Sequence, residues 1–264
     1  MQKVALVTGG SAGIGWATAE KLAGLGWAAV AASRRGTAPP GCESLVMDVD
    51  DDASVKDGVR KTLESQGRLD ALVTCAGWGV AGALELTPFS EAKAQVETLF
   101  WGTVRAVQAV LPVMRRAGGG RIVLVSSIGG VIGIPFQAFY SASKFALEGL
   151  GEAMAYEVEP FGIKVTLVEP GNVKTEFTEK RLVVAAGAEG YSEAQAKALT
   201  KMEKDEGNGA PAAKVAAKIA KVLASSHPPR RVSVGKSSER VGILAKRAMP
   251  FRAFQAGARS SLGV

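Results

Sequence analysis

Residues 3–15, KVALVTGGSAGIG, set the architecture of the chain because an apolar, β-branched run leads directly into a glycine-rich turn. The residues that follow, WATAEKLAGLG (16–26), have the composition of a helix. A strand, a glycine turn and a helix N-terminus in succession bind anions, because the first helical N–H groups lack partners. The spacing of Gly9, Gly13 and Gly15 therefore predicts a phosphate-binding turn of dinucleotide type. A tight turn without a ligand is the alternative.

Strand and helix patterns alternate along the rest of the chain. Apolar runs at 27–32, 44–49, 69–74, 121–125, 165–168 and 231–234 predict further strands, separated by helical patterns such as 88–114 and 211–225. This alternation predicts one α/β domain over residues 1–264, with a Rossmann-like, doubly wound parallel sheet of about seven strands. Ligands bind at the carboxyl ends of the strands in such a sheet.

The composition argues against several classes of protein. No apolar run approaches the length of about 18 residues that spans a bilayer, and MQKVALVTGG enters a strand without a secretory signal pattern. Cys42 and Cys75 lack metal-ligand spacing. We therefore expect a cytoplasmic protein with free thiols and no metal site.

The positive charge is concentrated at the C-terminal end. Residues 227–264 contain eight Lys and Arg and one Glu, which accounts for the whole formal net charge of +7. We favour a solvated edge over a nucleic-acid groove, because no aromatic residues are interleaved in a basic patch. Residues 240–264 form a basic amphipathic tail that Pro250 interrupts. Packing of this tail against the ligand-binding end of the protein is favoured over contact with a membrane surface.

The end of the second predicted strand carries Ser33, Arg34 and Arg35. An acidic residue there would bind the ribose 2′-hydroxyl of NAD, whereas arginine accommodates the 2′-phosphate of NADP. The sequence therefore predicts NADP(H) in preference to NAD(H), with Arg34 the better candidate, unless both arginines are only solvated loop charges. Asp48 and Val49 end the third predicted strand where an adenine ring could lie, but Asp48 is equally suited to cap the next helix.

Residues 122–144, IVLVSSIGGVIGIPFQAFYSASK, end a strand and open a helix. Tyr140 and Lys144 are four residues apart and share a helix face, where Ser127 at the strand end can meet them. A nearby cation lowers the pKa of a phenol, and a serine hydroxyl can hold a carbonyl oxygen. The three residues predict acid–base chemistry, although a Tyr and a Lys at this spacing also occur on many solvated helices.

A break in the sixth strand and a polar segment complete the predicted site. Pro170 and Gly171 break the strand at the same rim, where exposed backbone can close over a nicotinamide. Residues 176–210 are rich in Ala, Glu and Lys, and predict a substrate loop or lid. The glycines that could serve as its hinges are Gly187, Gly190, Gly207 and Gly209.

Taken in order, the glycine turn, Ser127, Tyr140, Lys144 and the string PGNVKT (170–175) resemble the short-chain dehydrogenase/reductase family of the Tyr-x-x-x-Lys type, from about residue 4 to residue 234. The resemblance implies an NADP(H)-dependent oxidoreductase, such as a carbonyl reductase, acting on a carbonyl or secondary alcohol. It implies that Tyr140 is the general acid/base, that Ser127 orients the substrate oxygen, and that Lys144 binds the nicotinamide ribose. Residues 129–151 resemble the branch that acts on steroids, retinoids and other hydrophobic carbonyls.

The resemblance also implies cofactor contacts and an assembly. The phosphates would lie among Gly9, Ser11, Gly13, Ile14 and Gly15. Ala76 and Gly77 would lie against the adenine-side ribose, and Val173 and Thr175 would contact the nicotinamide carboxamide and a nearby phosphate. A homodimer or homotetramer is implied through the helices at 88–114 and 138–159.

Two positions depart from the family pattern. Cys75 replaces an asparagine that ties the sheet together, and Leu99 replaces the asparagine that bends the long helix and whose carbonyl holds a water of the proton relay. The relay would then be slower or rerouted. A catalytically weak NADP-binding regulatory or scaffold protein is therefore the alternative function.

Overall fold

The computed structural model of the chain describes residues 1–186 and 190–262. Its strands are β1 (Val4–Thr8), β2 (Ala28–Ser33), β3 (Glu43–Val46), β4 (Ala71–Thr74), β5 (Val80–Ala81), β6 (Gly120–Val125), β7 (Ile163–Pro170), β8 (Val173–Lys174), β9 (Leu182–Val183), β10 (Ala210–Pro211) and β11 (Arg231–Val234). Seven of them form one parallel sheet in the order β11-β7-β6-β4-β1-β2-β3, and the short pairs β5 with β9 and β8 with β10 lie outside it. The expected single-domain, Rossmann-like sheet is confirmed.

Helices cover both faces of this sheet. They are α1 (Gly13–Ala23), α2 (Asp52–Gln66), α3 (Phe89–Val96), α4 (Gly102–Arg116), α5 (Ala138–Val158), α6 (Ser192–Gly207), α7 (Ala212–Ala224), α8 (Ser237–Ala248) and α9 (Phe251–Leu262). Leu22 of α1 and Ile219 of α7 pack on one face of the sheet, and Val59, Val110 and Met154 of α2, α4 and α5 pack on the other. The strands read as unbroken apolar runs because both of their faces are buried.

The strand order locates the site. From β1 the chain moves outward through β2 and β3, and it then returns to the other side of β1 to form β4. The loops that follow β1 and β4 therefore separate at the carboxyl edge, and the crevice at such a switch point is where ligands bind in open α/β sheets.

Several element boundaries differ from the predictions. The third strand ends at Val46 rather than at Val49, because Asp48 Oδ1 accepts a hydrogen bond from the Asp50 N–H and turns the chain out of the sheet. The sixth predicted strand is longer at both ends, since it pairs with β6 on one side and β11 on the other. The helix predicted over 88–114 contains a π-helical turn, Glu97–Trp101, between α3 and α4.

The predicted lid at 176–210 is more ordered than a loop, because it contains β9 and α6. Gln195 of α6 donates a hydrogen bond to the Val184 carbonyl and accepts one from the Ala83 N–H, which ties the helix to the short β5–β9 pair. Gly190 has a positive φ of 76°, a backbone conformation that favours glycine. Gly209 instead allows close packing, since a Cβ there would lie 2.5 Å from the Asn172 carbonyl oxygen. Gly187 lies outside the described residues.

The C-terminal tail forms two helices, α8 and α9, and Pro250 lies between them. Ile243 is buried and a Cβ on Gly242 would lie 3.6 Å from Ile132, so α8 packs against the body of the protein. The last two residues, 263–264, lie outside the described part. Among the described residues, no helix is both long and apolar enough to cross a membrane.

Candidate active site

A cleft of about 590 Å³ opens at the carboxyl edge of the sheet, between the glycine turn and α5. It brings together almost all of the residues that the sequence singles out. Those that line it are Gly9, Ser11, Gly13, Ile14, Ser33, Arg34, Arg35, Asp48, Val49, Ala76, Gly77, Ser127, Tyr140, Lys144, Pro170, Gly171, Val173 and Thr175. Gly15 is the exception and lies beneath the cleft.

The glycine turn is built by close backbone packing. A Cβ on Gly9 would lie 2.7 Å from the Ala76 nitrogen, and a Cβ on Gly15 would lie 2.3 Å from the Gly9 carbonyl oxygen. Gly15 therefore permits packing rather than ligand contact. α1 begins at Gly13 without a side-chain cap and without an acidic residue in its first turn, so its N–H groups and positive dipole end stay available to an anion. These features fit a dinucleotide phosphate.

The end of β2 is basic. Arg35 donates a hydrogen bond to Ser11 Oγ over 2.8 Å, which fixes it against the glycine turn. Arg34 is exposed, lines the cleft and lowers the pKa of Asp50, although burial raises that pKa more strongly. These two cations fit a 2′-phosphate.

The N-terminal cap of α2 is Asp51. Its side chain accepts a hydrogen bond from the Ser54 N–H over 2.8 Å. The alternative role of Asp48 as a helix cap is therefore wrong, and Asp48 lies on the wall of the cleft.

Ser127 and Tyr140 lie next to each other on one side of the cleft. Ser127 Oγ accepts a hydrogen bond from the Gly129 N–H over 3.0 Å, which holds the hydroxyl at the end of β6. α5 begins two residues before Tyr140, and the ring of Tyr140 packs edge-on against Phe177 with 5.9 Å between centroids. Burial raises the pKa of Tyr140, and a hydrogen bond with Ser127 offsets this only in part.

Lys144 is buried beside the same wall. Its Nζ donates a hydrogen bond to the Val125 carbonyl over 2.9 Å and lies 5.8 Å from the centroid of the Tyr140 ring. Burial lowers the pKa of Lys144 to about 8, against opposing effects of Cys75 and Glu148.

The expectation that a cation lowers the pKa of Tyr140 below its ordinary value is therefore wrong for this cleft. Among the nearby charged groups, the Glu206 carboxylate raises the pKa of Tyr140 and the Arg181 guanidinium lowers it. Loss of hydration at the Tyr140 phenol outweighs the opposing effect of the Arg181 charge.

The first departure from the family pattern is Cys75, in the loop that follows β4, and Thr8 holds this loop. Thr8 Oγ1 accepts hydrogen bonds from the Cys75 and Ala76 N–H groups over 3.2 and 3.3 Å, so this turn is held without a side-chain amide at residue 75. Burial raises the pKa of the Cys75 thiol to about 12, which keeps it neutral.

At the second departure, the helix changes its geometry without an asparagine. Leu99 lies in the π-helical turn, and its carbonyl accepts a hydrogen bond from Thr103 Oγ1 over 3.0 Å. The helix is therefore irregular at this point without an asparagine side chain. The side chain packs so closely that a Cβ on Gly77 would lie 2.6 Å from Leu99 Cδ2.

Five further residues line the cleft and were not singled out from the sequence: Trp78, Ile134, Phe177, Lys180 and Glu206. The last three lie in the segment 176–210 that was predicted as a substrate loop or lid. Behind them, the buried guanidinium of Arg181 pairs with Glu206 of α6 and lies 5.8 Å from the centroid of the Phe177 ring. An ion pair between a loop and a later helix produces no sequence periodicity that would have identified it.

The start of the tail contacts the cleft loop, in agreement with the predicted packing of the tail against the ligand-binding end, although the residue pair was not predicted. Glu239 of α8 accepts hydrogen bonds from the backbone N–H and the side-chain Nδ2 of Asn172, over 3.0 and 2.8 Å. Gly171 lies so close that a Cβ there would be 2.1 Å from the Glu239 carboxylate. The break in β7 that lines the cleft is thus held by the first turn of the tail.

No metal centre accompanies these groups in the described part of the chain. Nowhere in residues 1–186 and 190–262 do three His, Cys, Asp or Glu side chains gather as a possible metal site.

Comparisons with known proteins agree with this geometry. The family model of the short chain dehydrogenases matches residues 3–185. The chain is 44% identical over 236 residues to a 3-ketodihydrosphingosine reductase of Bacteroides thetaiotaomicron, covering 88% of each chain. It is 38% identical over 213 residues to the 17-beta-hydroxysteroid dehydrogenase type 1 of Mus musculus, covering 74% of this chain and 61% of that one. A crystal structure of a short-chain dehydrogenase from Streptomyces avermitilis superposes with a TM-score of 0.83 at 33% identity, over 99% of both chains.

The buried pair behind the cleft wall makes a prediction about stability. Replacing Arg181 with alanine leaves the Glu206 carboxylate without its buried partner, and should lower the free energy of unfolding by about 3–5 kcal/mol. The matched control is Lys180→Ala, which breaks an exposed ion pair with Glu176 and should cost less than about 1 kcal/mol. Urea unfolding followed by circular dichroism measures both losses. Equal losses would contradict the assigned role of Arg181.

Proposed function

The chain belongs to the short-chain dehydrogenase family and is an oxidoreductase of that family, and on this basis we propose that it is an NADP(H)-dependent reductase of hydrophobic ketones. One observation carries the proposal. Ser127, Tyr140 and Lys144 lie together on one side of the cleft, and the glycine turn lines the other side. The glycine turn would bind the cofactor and the opposite side would bind the carbonyl compound, so the two can meet in this cleft.

The cofactor assignment rests on the chemistry of the wall residues. The free N–H groups at the start of α1 suit a pyrophosphate, and the exposed guanidinium of Arg34 suits a 2′-phosphate. No acidic residue ends β2, so nothing there selects for a free 2′-hydroxyl. When bound, the nicotinamide supplies or accepts the hydride.

The side chains of the protein handle the oxygen and the proton. Ser127 holds the carbonyl oxygen of the substrate, and Tyr140 donates its phenolic proton to that oxygen as the alcohol forms. The raised pKa of Tyr140 keeps the phenol protonated and ready for this step. Lys144 as the ammonium stabilises the phenolate that remains.

The substrate class follows from the remaining wall. Ile134 and Phe177 present apolar surface near Tyr140, and Trp78, Lys180 and Glu206 also line the cleft. An apolar wall with few polar groups suits a hydrophobic ketone. The names of the relatives, a 3-ketodihydrosphingosine reductase and a 17-beta-hydroxysteroid dehydrogenase, support the same class.

Removing one hydroxyl tests the proposed reaction. NADPH oxidation should be measured with 3-ketodihydrosphingosine, ketosteroids and long-chain ketones, and Tyr140→Phe should lower turnover by at least about a hundredfold because the proton donor is lost. NADPH affinity, measured by fluorescence titration, should change little.

The matched control is Tyr156→Phe, since Tyr156 is exposed on α5 and should retain full activity. Wild-type NADPH binding without turnover of any of these compounds would favour the regulatory or scaffold alternative. Full activity of Tyr140→Phe would contradict the assigned proton donor.

Cofactor selection makes a separate prediction. Arg34→Ala should weaken NADPH binding by about 1.5–3 kcal/mol, which is about tenfold to a hundredfold in Kd, because one charged hydrogen bond is lost. NADH binding should be almost unchanged. Arg116→Ala, at the exposed end of α4, controls for a general loss of positive charge. Equal losses for NADPH and NADH would exclude Arg34 as the 2′-phosphate ligand.

The lowered pKa of Lys144 makes a prediction about pH. The ammonium predominates below a pH of about 8 and the neutral amine above it, so reductive kcat/KM should fall as the pH rises through this value. A profile that stays flat up to the ordinary lysine pKa of about 10.4 would contradict this assignment.

A further inference from the structure

The two helices of the tail carry an outward face that is both apolar and basic. Val241, Leu244, Met249 and Phe251 are 60%, 63%, 44% and 63% exposed. Val241 and Leu244 are three residues apart on α8, so they share one side of the helix. Met249 and Phe251 extend this apolar surface into the turn and the start of α9. Large apolar side chains exposed together in this way mark an interaction surface.

The opposite side of α8 is used to anchor the tail. Ile243 is buried, with 3% of its surface exposed, and Glu239 bonds to the loop at Asn172. Val241 and Leu244 therefore face away from the body, and Phe251 keeps most of its surface exposed although Lys246 lies over its ring. Because α8 is held from within, this face has a fixed position on the molecule.

The charged side chains exposed on the tail are positive. Glu239 is the only acidic residue between His227 and Val264, and its carboxylate is turned inward. Arg240, Arg252 and Arg259 are exposed on the tail, whereas the preceding part of the chain has balanced charge. The outward face therefore presents positive charge with no acidic residue to neutralise it.

We propose that this outward face of α8 and early α9, the docking face, binds the surface of an anionic lipid bilayer. Basic side chains suit the lipid headgroups, and Val241, Leu244 and Phe251 suit the boundary with the acyl chains. A second copy of the chain is disfavoured, because a symmetric pairing would bring like charges together. An acidic protein surface would satisfy the arginines but would bury no matching apolar surface.

The docking face lies beside the segment that forms part of the main cleft. Phe251 and Phe254 line a smaller cavity of about 340 Å³ together with Ile132 and Pro135. Ile134, between these last two residues, lines the main cleft. Docking would therefore place the cleft near the bilayer, from which a hydrophobic ketone can enter. This consequence rests on the proposed function, whereas docking itself does not.

Vesicle binding of the full chain tests the proposal. The protein should sediment with vesicles of phosphatidylcholine and phosphatidylglycerol at low salt, but not with phosphatidylcholine alone, and high salt should release it. The variants Val241→Ser/Leu244→Ser and Arg240→Glu/Arg252→Glu should each lower the partition coefficient by about tenfold or more. Turnover of a water-soluble ketone by these variants should remain that of the wild type, which separates docking from catalysis.

Matched controls use exposed residues far along the chain from the tail. Leu25→Ser removes an equally exposed leucine, and Lys56→Glu reverses an exposed charge on α2. Both should bind the anionic vesicles as the wild type does, and thermal unfolding should verify that every variant is folded.

Three outcomes would overturn the proposal. One is the absence of binding to anionic vesicles, and another is an equal loss of binding in the control variants. The third is a change of mass by light scattering in Val241→Ser/Leu244→Ser with vesicle binding unchanged, which would make the face a contact between copies of the chain.

Discussion

The close packing of the loops that leave β1 and β4 is the constraint on which the cleft depends. A side chain at Gly9 would collide with the backbone of Ala76, and one at Gly15 would collide with Gly9 itself. Because both positions lack a Cβ, α1 can start directly against the edge of the sheet. Its unpaired N–H groups then form the floor of the cleft. The same closeness brings the Thr8 hydroxyl under the turn at Cys75, which explains how this turn is held without the asparagine of the family pattern.

Loss of hydration dominates the electrostatics of the opposite wall. It raises the pKa of Tyr140 and lowers the pKa of Lys144, so burial disfavours the charged form of both groups. The protein offsets this in part, with the Val125 carbonyl at the ammonium and the Ser127 hydroxyl at the phenol. Any bound group that adds a hydrogen bond or an opposite charge in this enclosed space will shift these equilibria strongly. The protonation of the site is therefore coupled to what occupies it.

Local patterns in the sequence were sufficient to predict most of the fold and much of the cleft. Each of these features is encoded within a short segment: the strands that are buried on both faces, the glycine turn, and the four-residue spacing of Tyr140 and Lys144. Because parallel strands end at one edge, predicting the strand ends also predicted which loops meet. Where several acidic residues stand close together, the pattern was ambiguous, and only the backbone geometry distinguishes the cap Asp51 from Asp48.

Contacts between distant segments were beyond the reach of the same patterns. Glu239 and Asn172 are 67 residues apart, and Arg181 and Glu206 are 25 apart. Neither pair belongs to a repeating pattern, and each depends on how a later helix packs on the finished sheet. The ring contact between Phe177 and Tyr140 likewise joins two distant segments, and it too depends on tertiary packing.

The residues that shape the cleft come from two different parts of the chain. The family model ends at residue 185, and Ser127, Tyr140 and Lys144 lie before that point. Glu206 and Glu239, which hold the substrate wall and the Asn172 loop, come from helices beyond it. Each places a carboxylate against donors on an earlier loop, so the C-terminal third shapes the cleft, whereas the proposed catalytic residues lie earlier in the chain. Changes in α6 and α8 can therefore alter the shape of the cleft while Tyr140 and Lys144 on α5 stay in place.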